Sequence, residues 1–444
     1  MLWSGSEIDL KTLIQNGTVI NPDTNLQEKA DLWIEDGKVA AVGRSLQGEA
    51  DRIIDASGLL VVPGLVDIHV HFRDPGFTHK ETIETGSLAA AAGGFTSVVC
   101  MPNTKPAIDT PETLEYVLRT GRERGVVRVY SSGAITYGIR GEELTDLRAL
   151  AQAGAVTFTD DGRSPMNPKL LLEAFRTAAE LDIPISSHCE EHSLVTEGAM
   201  NRGRASEAVG DPGIPALAEE LVIARDILFA EDAGARLHIQ HVSTARGVQL
   251  IREAKQRGVK VTAEGAPHHF TLTDERVVTH GTLAKVNPPL RTAADVEAVI
   301  AGLADGTLDA IATDHAPHAA EEKALPLGKA PFGMVGLETA VGLTFTALVH
   351  TGRLSLMEAI AKLTVVPARI MGLPAGTLAP GAAADIAFID PDKEWIVDPA
   401  AFRSKSNNSP FAGMKLKGKA VRTMVAGETV YDESEAGKGG AEGQ

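Results

Sequence analysis

Two histidines and an arginine occupy alternate positions in His69-Val70-His71-Phe72-Arg73, at the end of the apolar run Leu59 to Ile68. The run predicts a buried β-strand. Strand side chains alternate faces, so His69, His71 and Arg73 are expected on one side. Two neighbouring imidazoles can hold one metal ion, and a guanidinium beyond them can hold a carboxylate. A lone His-x-His is also what two satisfied or exposed histidines look like, so the pair needs partners.

The elements that must position those partners repeat in a strand-then-helix rhythm. Further strands are expected at 97–101, 127–131, 155–159, 183–187, 237–240, 259–263 and 310–313, making eight with the first. Helical periodicity fills intervals such as Leu170 to Leu181, Pro215 to Asp232, Ala245 to Arg257 and Ala293 to Ala304. Alternating β and α units imply a parallel sheet, and eight units are the number that closes a (β/α)8 TIM-type barrel, whose chemistry lies at the carboxyl ends of the strands. Short β segments with turn signals at Asn16-Gly17 and Asp36-Gly37 precede this region, and strand-like segments 384–390 and 420–430 follow it. The economical arrangement is a small β-sandwich domain built from 1–60 plus 375–433, with the barrel at 61–374 inserted and 434–444 as a disordered tail.

Reading the strand ends gives His69, His71 and Arg73 on the first, Asn103 on the second, Asp160-Asp161 on the fourth, His188 on the fifth, His241 on the sixth, and Asp314 to His318 on the eighth. Imidazole or carboxylate at five of eight ends suits a two-metal site better than packing. The expected division gives His69 and His71 to one ion, His188 and His241 to the other, and a carboxylate of the fourth strand to the bridge. A water shared by two cations becomes a hydroxide near neutral pH. Asp314 then fits the general acid/base, taking a proton on attack and passing it to a leaving nitrogen. Zn²⁺ suits this mixed donor set, and Co²⁺ or Mn²⁺ are accepted by the same ligands.

Composition narrows the partners. A net charge of -17 excludes nucleic acid and anionic membrane, since neither offers counterion release to an acidic surface. A small anionic substrate stays open, because a local Arg can dominate a pocket. With only Cys100 and Cys189 there is no disulfide framework, both are expected to be buried small side chains, and a reducing cytoplasm is the expected setting. Met1 to Asp9 lacks the pattern of a signal peptide, and the longest uncharged stretch, Gly86 to Thr104, is too broken to span a membrane.

At this point the chain resembles the cyclic amidohydrolases, most closely the bacterial type I dihydroorotases. The matching stretches are His69-Val70-His71-Phe72-Arg73-Asp74-Pro75-Gly76, Thr85-Gly86-Ser87 with the run 89–96, Met101-Pro102-Asn103-Thr104, Thr159-Asp160-Asp161-Gly162, His241-Val242-Ser243-Thr244 and 312–318. The resemblance runs from about Leu10 to about Glu433. It implies a barrel with two metal ions, usually zinc, interconverting dihydroorotate and N-carbamoyl-aspartate in pyrimidine synthesis. Carried over residue by residue, it implies His69, His71, His188 and His241 as metal ligands, Asp161 as the bridge, and Asp314 as ligand and general acid/base. Arg73 and Asn103 are implied as binders of the substrate carboxylate, with Asn287 and His318 also lining the site. It further implies homodimers and, in some relatives, association with aspartate transcarbamoylase.

Hydantoinases and allantoinases bridge their metals with a carbamylated lysine on the fourth strand, but here the nearest following lysine, Lys169, lies beyond Pro165 and Pro168. That absence and Arg73 both disfavour the alternatives, an allantoinase or a dihydropyrimidinase-like hydrolase. A third alternative is a catalytically inactive subunit that has lost its metals, which the intact ligand positions oppose. His238, three residues before His241, is expected to face away, under the helix layer. His315 is expected to support the site through a hydrogen bond, and the segment 319–335 is a candidate lid.

Overall fold

The computed structural model describes residues 10–195 and 197–436. The first nine residues and 437–444, most of the expected tail, lie outside them; Glu433–Ala436 form one helical turn.

Two sheets built from both ends of the chain share one hydrophobic core. The smaller has the order Lys38–Gly43, Asp31–Glu35, Thr12–Gln15, Arg52–Asp55, and the larger runs Glu428–Asp432, Lys415–Val425, Ile386–Ile396, Leu60–Pro63, Thr18–Asn21, Leu26–Lys29. Ile14, Leu32 and Ile54 of the first pack with Val19, Val61, Phe388 and Met424 of the second. Asp36-Gly37 makes the expected two-residue hairpin, both residues at positive φ (51° and 69°) with Glu35 opposite Lys38. Asn16-Gly17 does not. The strands either side of it belong to different sheets, and Gly17 packs so closely against Val61 that a Cβ would lie 2.6 Å from its Cγ2. The turn signal was real, but it marks a crossing between sheets.

The run Leu59 to Ile68, read from sequence as one strand, is two. Leu60–Pro63 pairs with the terminal strands, and Leu65–Val70 starts a parallel sheet with Phe95–Cys100 and Arg128–Ser131. The chain changes sheets at Gly64, where a Cβ would lie 2.1 Å from Thr96 Oγ1, so only glycine fits. A second parallel sheet contains Ile185–Ser187, Leu237–Ile239, Val261–Gly265 and Ala310–Ile311. The expected fourth strand is reduced to Phe158, which bridges Gly133 on one side and Ile185 on the other, while Val70 bridges His315. Both ends of the two parallel sheets are thereby joined.

Helices flank these strands close to the expected ranges: Pro168–Leu181, Leu217–Ala233, Ala245–Gln256 and Ala293–Ala304. Three of the four start at side-chain caps, Asn167, Thr244 and Thr292 each accepting a backbone N–H of the first turn. None of the described helices is long and apolar enough to cross a membrane. Cys100 and Cys189 are free and buried.

Candidate metal centre

His69 is on the strand Leu65–Val70, and His71 and Arg73 lie past its end. Alternation therefore does not aim Arg73; a left-handed backbone (φ 59°) does. Asp314 (φ 50°) and His241 (φ 33°) share this conformation, which costs a non-glycine residue roughly 1–3 kcal/mol and concentrates at functional sites. Three kinks of one kind thus turn a guanidinium, a carboxylate and an imidazole from three separate elements toward one cavity.

The cavity holds about 200 Å³ and is lined by His71, Arg73, Asn103, Asp161, His188, His241, Asn287, Asp314 and His318, together with Phe332 and Gly333. Every residue expected at the site except His69 lines it, and His69 lies directly beneath, fully buried. Asp161 is the common member of two clusters, one with His69 and His71, the other with His188 and His241, each with ligand atoms within 4.8 Å of one another. Its Oδ1 is 3.2 Å from His69 Nε2 and its Oδ2 3.5 Å from His71 Nε2, while His188 Nδ1 lies 4.0 Å from Oδ1. Asp314 Oδ1 is 2.9 Å from His71 Nε2 and 3.5 Å from His69 Nε2. Asp160 faces away, as alternation implies, accepting from the Thr136 amide and hydroxyl.

Four atoms test whether metal ions fit. His69 Nε2, Asp161 Oδ1, His188 Nε2 and His241 Nδ1 are buried without a hydrogen-bond partner. A buried polar atom left unmatched costs about 1–3 kcal/mol, and these four sit together on the residues of the two clusters. Imidazole nitrogens with carboxylate oxygens are the donor set of borderline divalent cations such as Zn²⁺. The electrostatics mark the same spot as one that favours positive charge. Burial opposes charge on His69, yet Glu264, Asp161 and Asp314 hold its pKa well above the ordinary imidazole value. Burial likewise opposes charge on Asp161 and Asp314, yet the histidines hold both carboxyls below the usual range. His241 is pushed down to about 3 by burial and then by His188 and His69, leaving it a neutral donor.

Arg73 is buried, with Nε donating to the Pro317 carbonyl at 3.2 Å and Nη2 lying 3.3 Å from His318 Nε2. Burial lowers its pKa to about 10, so it stays charged at neutral pH. Asn103 is bonded on both sides: Oδ1 is 2.8 Å from His71 Nδ1, and Nδ2 donates to Asp161 Oδ2 at 3.3 Å. It thus also holds two of the ligand candidates in place. Asn287 Nδ2 donates to Glu190 Oε2 at 2.5 Å.

Several supporting residues escaped the sequence reading. Asp67 accepts from the Thr313 amide and hydroxyl and from the His69 amide, clamping the first strand to the base of Asp314. Glu264 meets His69 Nδ1, His238 Nε2 and the His241 amide. The signal for both was a carboxylate inside an apolar strand. His238 is the correction that follows: it shares a side with Gln240 and reaches Glu264 beneath the cluster, and does not lie under the helix layer. Alternation misled because the kink at His241 comes after the strand ends. Asn408, from the terminal segment between two strands of the larger sheet, accepts from the His318 amide at 3.0 Å and donates to the carbonyls of Ala316 and Gly333. Replacing Asn408 with Ala is expected to raise KM about tenfold with kcat nearly unchanged, as measured by steady-state kinetics.

The fold and this site define a cyclic amide hydrolase of the amidohydrolase type. An L-hydantoinase (dihydropyrimidinase) from Arthrobacter aurescens superposes with a TM-score of 0.87 at 30% identity, covering 95% of this chain and 96% of its own. A dihydropyrimidinase from Brevibacillus agri has the same fold, with a TM-score of 0.85, 24% identity, and coverage of 96% and 95%. The dihydro-orotase-like family profile matches residues 58–247. A dihydroorotase of Pelotomaculum thermopropionicum is 54% identical over 96% of this chain and 99% of its own length, and one of Syntrophus aciditrophicus is 49% identical over 96% and 100%. The chain belongs to the dihydroorotase family.

Proposed function

We propose that this chain is a dihydroorotase, interconverting L-dihydroorotate and N-carbamoyl-L-aspartate in de novo pyrimidine synthesis, with two zinc ions per chain. The observation that carries the choice of substrate is Arg73, a buried guanidinium lining a cavity beside the His/Asp cluster. Dihydroorotate carries an exocyclic carboxylate that can accept two parallel N–H bonds from it. A neutral ring such as dihydrouracil or hydantoin leaves that charge unpaired on desolvation. The test compares dihydroorotate with dihydrouracil: kcat/KM for dihydroorotate is expected to be higher by at least about a hundredfold, and equal rates would overturn the assignment.

In this reading His69 and His71 would hold one ion and His188 and His241 the other, with Asp161, common to both clusters, as the carboxylate shared between them. When bound, the ions polarise the ring carbonyl and acidify a water at neutral pH. Asp314 takes the proton from the attacking water, whose oxygen joins the carbonyl carbon. It then delivers that proton to the ring nitrogen as the C–N bond breaks, and the reverse sequence closes the ring. His71, 2.9 Å from Asp314 Oδ1, sets the position of this carboxylate. Arg73, with Asn103, Asn287 and His318 around it, holds the substrate carboxylate so that the reacting carbonyl stays over the cluster.

The architecture we propose is a closed (β/α)8 barrel, its circuit completed by the bridges at Phe158 and Val70, with a β-sandwich domain from both termini. The boundary falls at Gly64, where the chain changes sheets. Buried free thiols at Cys100 and Cys189 accord with a cytoplasmic enzyme. Metal removal is expected to lower the melting temperature: zinc at a thousand times its Kd adds about 4 kcal/mol per site. A thermal melt with and without chelator measures this, and identical curves would count against the ligand set.

A further inference from the structure

Glu264 is a carboxylate with 1% exposure on the strand Val261–Gly265. Its Oε1 lies 2.6 Å from His69 Nδ1 and 3.1 Å from the His241 amide nitrogen, and its Oε2 lies 2.9 Å from His238 Nε2. An ionised carboxylate only accepts, so His69 carries a proton on Nδ1, and Nε2, facing Asp161, is the nitrogen left to offer a lone pair when the ring is neutral. The other neighbour of Nδ1, Gln240 Nε2 at 3.4 Å, is itself a donor, with its amide oxygen taken by the Thr159 hydroxyl. It cannot replace Glu264 as acceptor. The same Oε1 that fixes the His69 ring also holds the backbone of His241 at its left-handed kink. His69 belongs to one cluster and His241 to the other.

We propose that Glu264 is a positioning residue that couples the two metal half-sites, fixing the tautomer of His69 for one ion and the backbone of His241 for the other. The inference rests on the two-metal reading above. An acceptor behind a metal-bound imidazole fixes its ring and raises its basicity, and removing it typically weakens binding by about 10- to 100-fold. A single oxygen serving both clusters means that both ions should weaken together. His238 gains a purpose here too: Thr262 holds its Nδ1, and its Nε2 holds the second carboxylate oxygen from below, so Glu264 cannot rotate away from His69.

The test is zinc titration of metal-free wild type and Glu264→Gln against a competing chelator, with a thermal melt of each metal-free protein. Gln keeps the size and removes the charge. Wild type is expected to take up two zinc ions. The variant is expected to lose about tenfold or more in affinity for both, with its metal-free melting temperature close to wild type. The visible spectrum of the cobalt-loaded variant should also shift, because ligand geometry changes. Affinities within twofold of wild type, or a loss confined to one ion, overturn the proposal. Wild type that binds no zinc overturns the two-metal reading itself, which separates the two failures. If the Gln variant shows no cooperative melt, Glu264→Asp, which withdraws the oxygens by one methylene, is judged by the same criteria.

Discussion

Asp314→Asn is expected to lower kcat by about two to four orders of magnitude, the range for removing a positioned general acid/base, with KM changed less than about threefold. Asn has the same shape and can still bond to His71, so the cavity keeps its form. What it lacks is a basic oxygen. The histidines hold the Asp314 carboxyl below the usual range although it is buried, so on the proposed reading a proton acceptor stands ready at neutral pH. Because the same residue acts in both directions, hydrolysis of dihydroorotate and cyclisation of carbamoyl-aspartate should fall by the same factor. Steady-state kinetics separates this from a binding defect, because the loss falls on kcat and not on KM. A variant that keeps a near-normal kcat removes Asp314 from the proton path.

The second large effect is expected at Arg73. On the proposed reading Arg73→Met removes the buried cation that pairs with the substrate carboxylate, an interaction of about 3 kcal/mol, so kcat/KM for dihydroorotate should fall by on the order of 10²-fold, mostly through KM. Methionine keeps much of the side-chain volume, so the cavity wall survives. The control is a neutral ring: turnover of dihydrouracil, slow in wild type, should not fall with it. Loss of both activities alike would assign Arg73 to the structure of the loop, where its Nε holds the Pro317 carbonyl, and not to recognition of the carboxylate.

Much of the candidate site could be read from the chain because its ligand candidates follow buried strands, and buried strands are easy to see. His69, Asp161, His188, His241 and Asp314 each come at or just after an apolar segment, so topology alone brings them to one end of the sheets. How they point was less legible. Alternation gave the right side for Asp160 but the wrong reason for Arg73 and the wrong place for His238. Positive φ at Arg73 and His241 is a tertiary outcome that no residue type announced. Long-range partners were hidden for a related reason. Asn408 lies 90 residues from the His318 amide that it accepts from, and Glu264 lies 195 residues from His69, so no local pattern links them. In the fold, Gly64 broke one predicted strand into two because the steric limit at Thr96 belongs to a neighbouring strand.

The most direct test of the account combines metal content with ring closure. Protein purified with zinc is incubated with N-carbamoyl-L-aspartate at mildly acidic pH, before and after treatment with a chelator, and dihydroorotate is quantified. The expected result is two metal ions per chain and steady ring closure, lost on chelation and restored by Zn²⁺. No ring closure by the metal-replete chain, or closure that continues undiminished without metal, would contradict it.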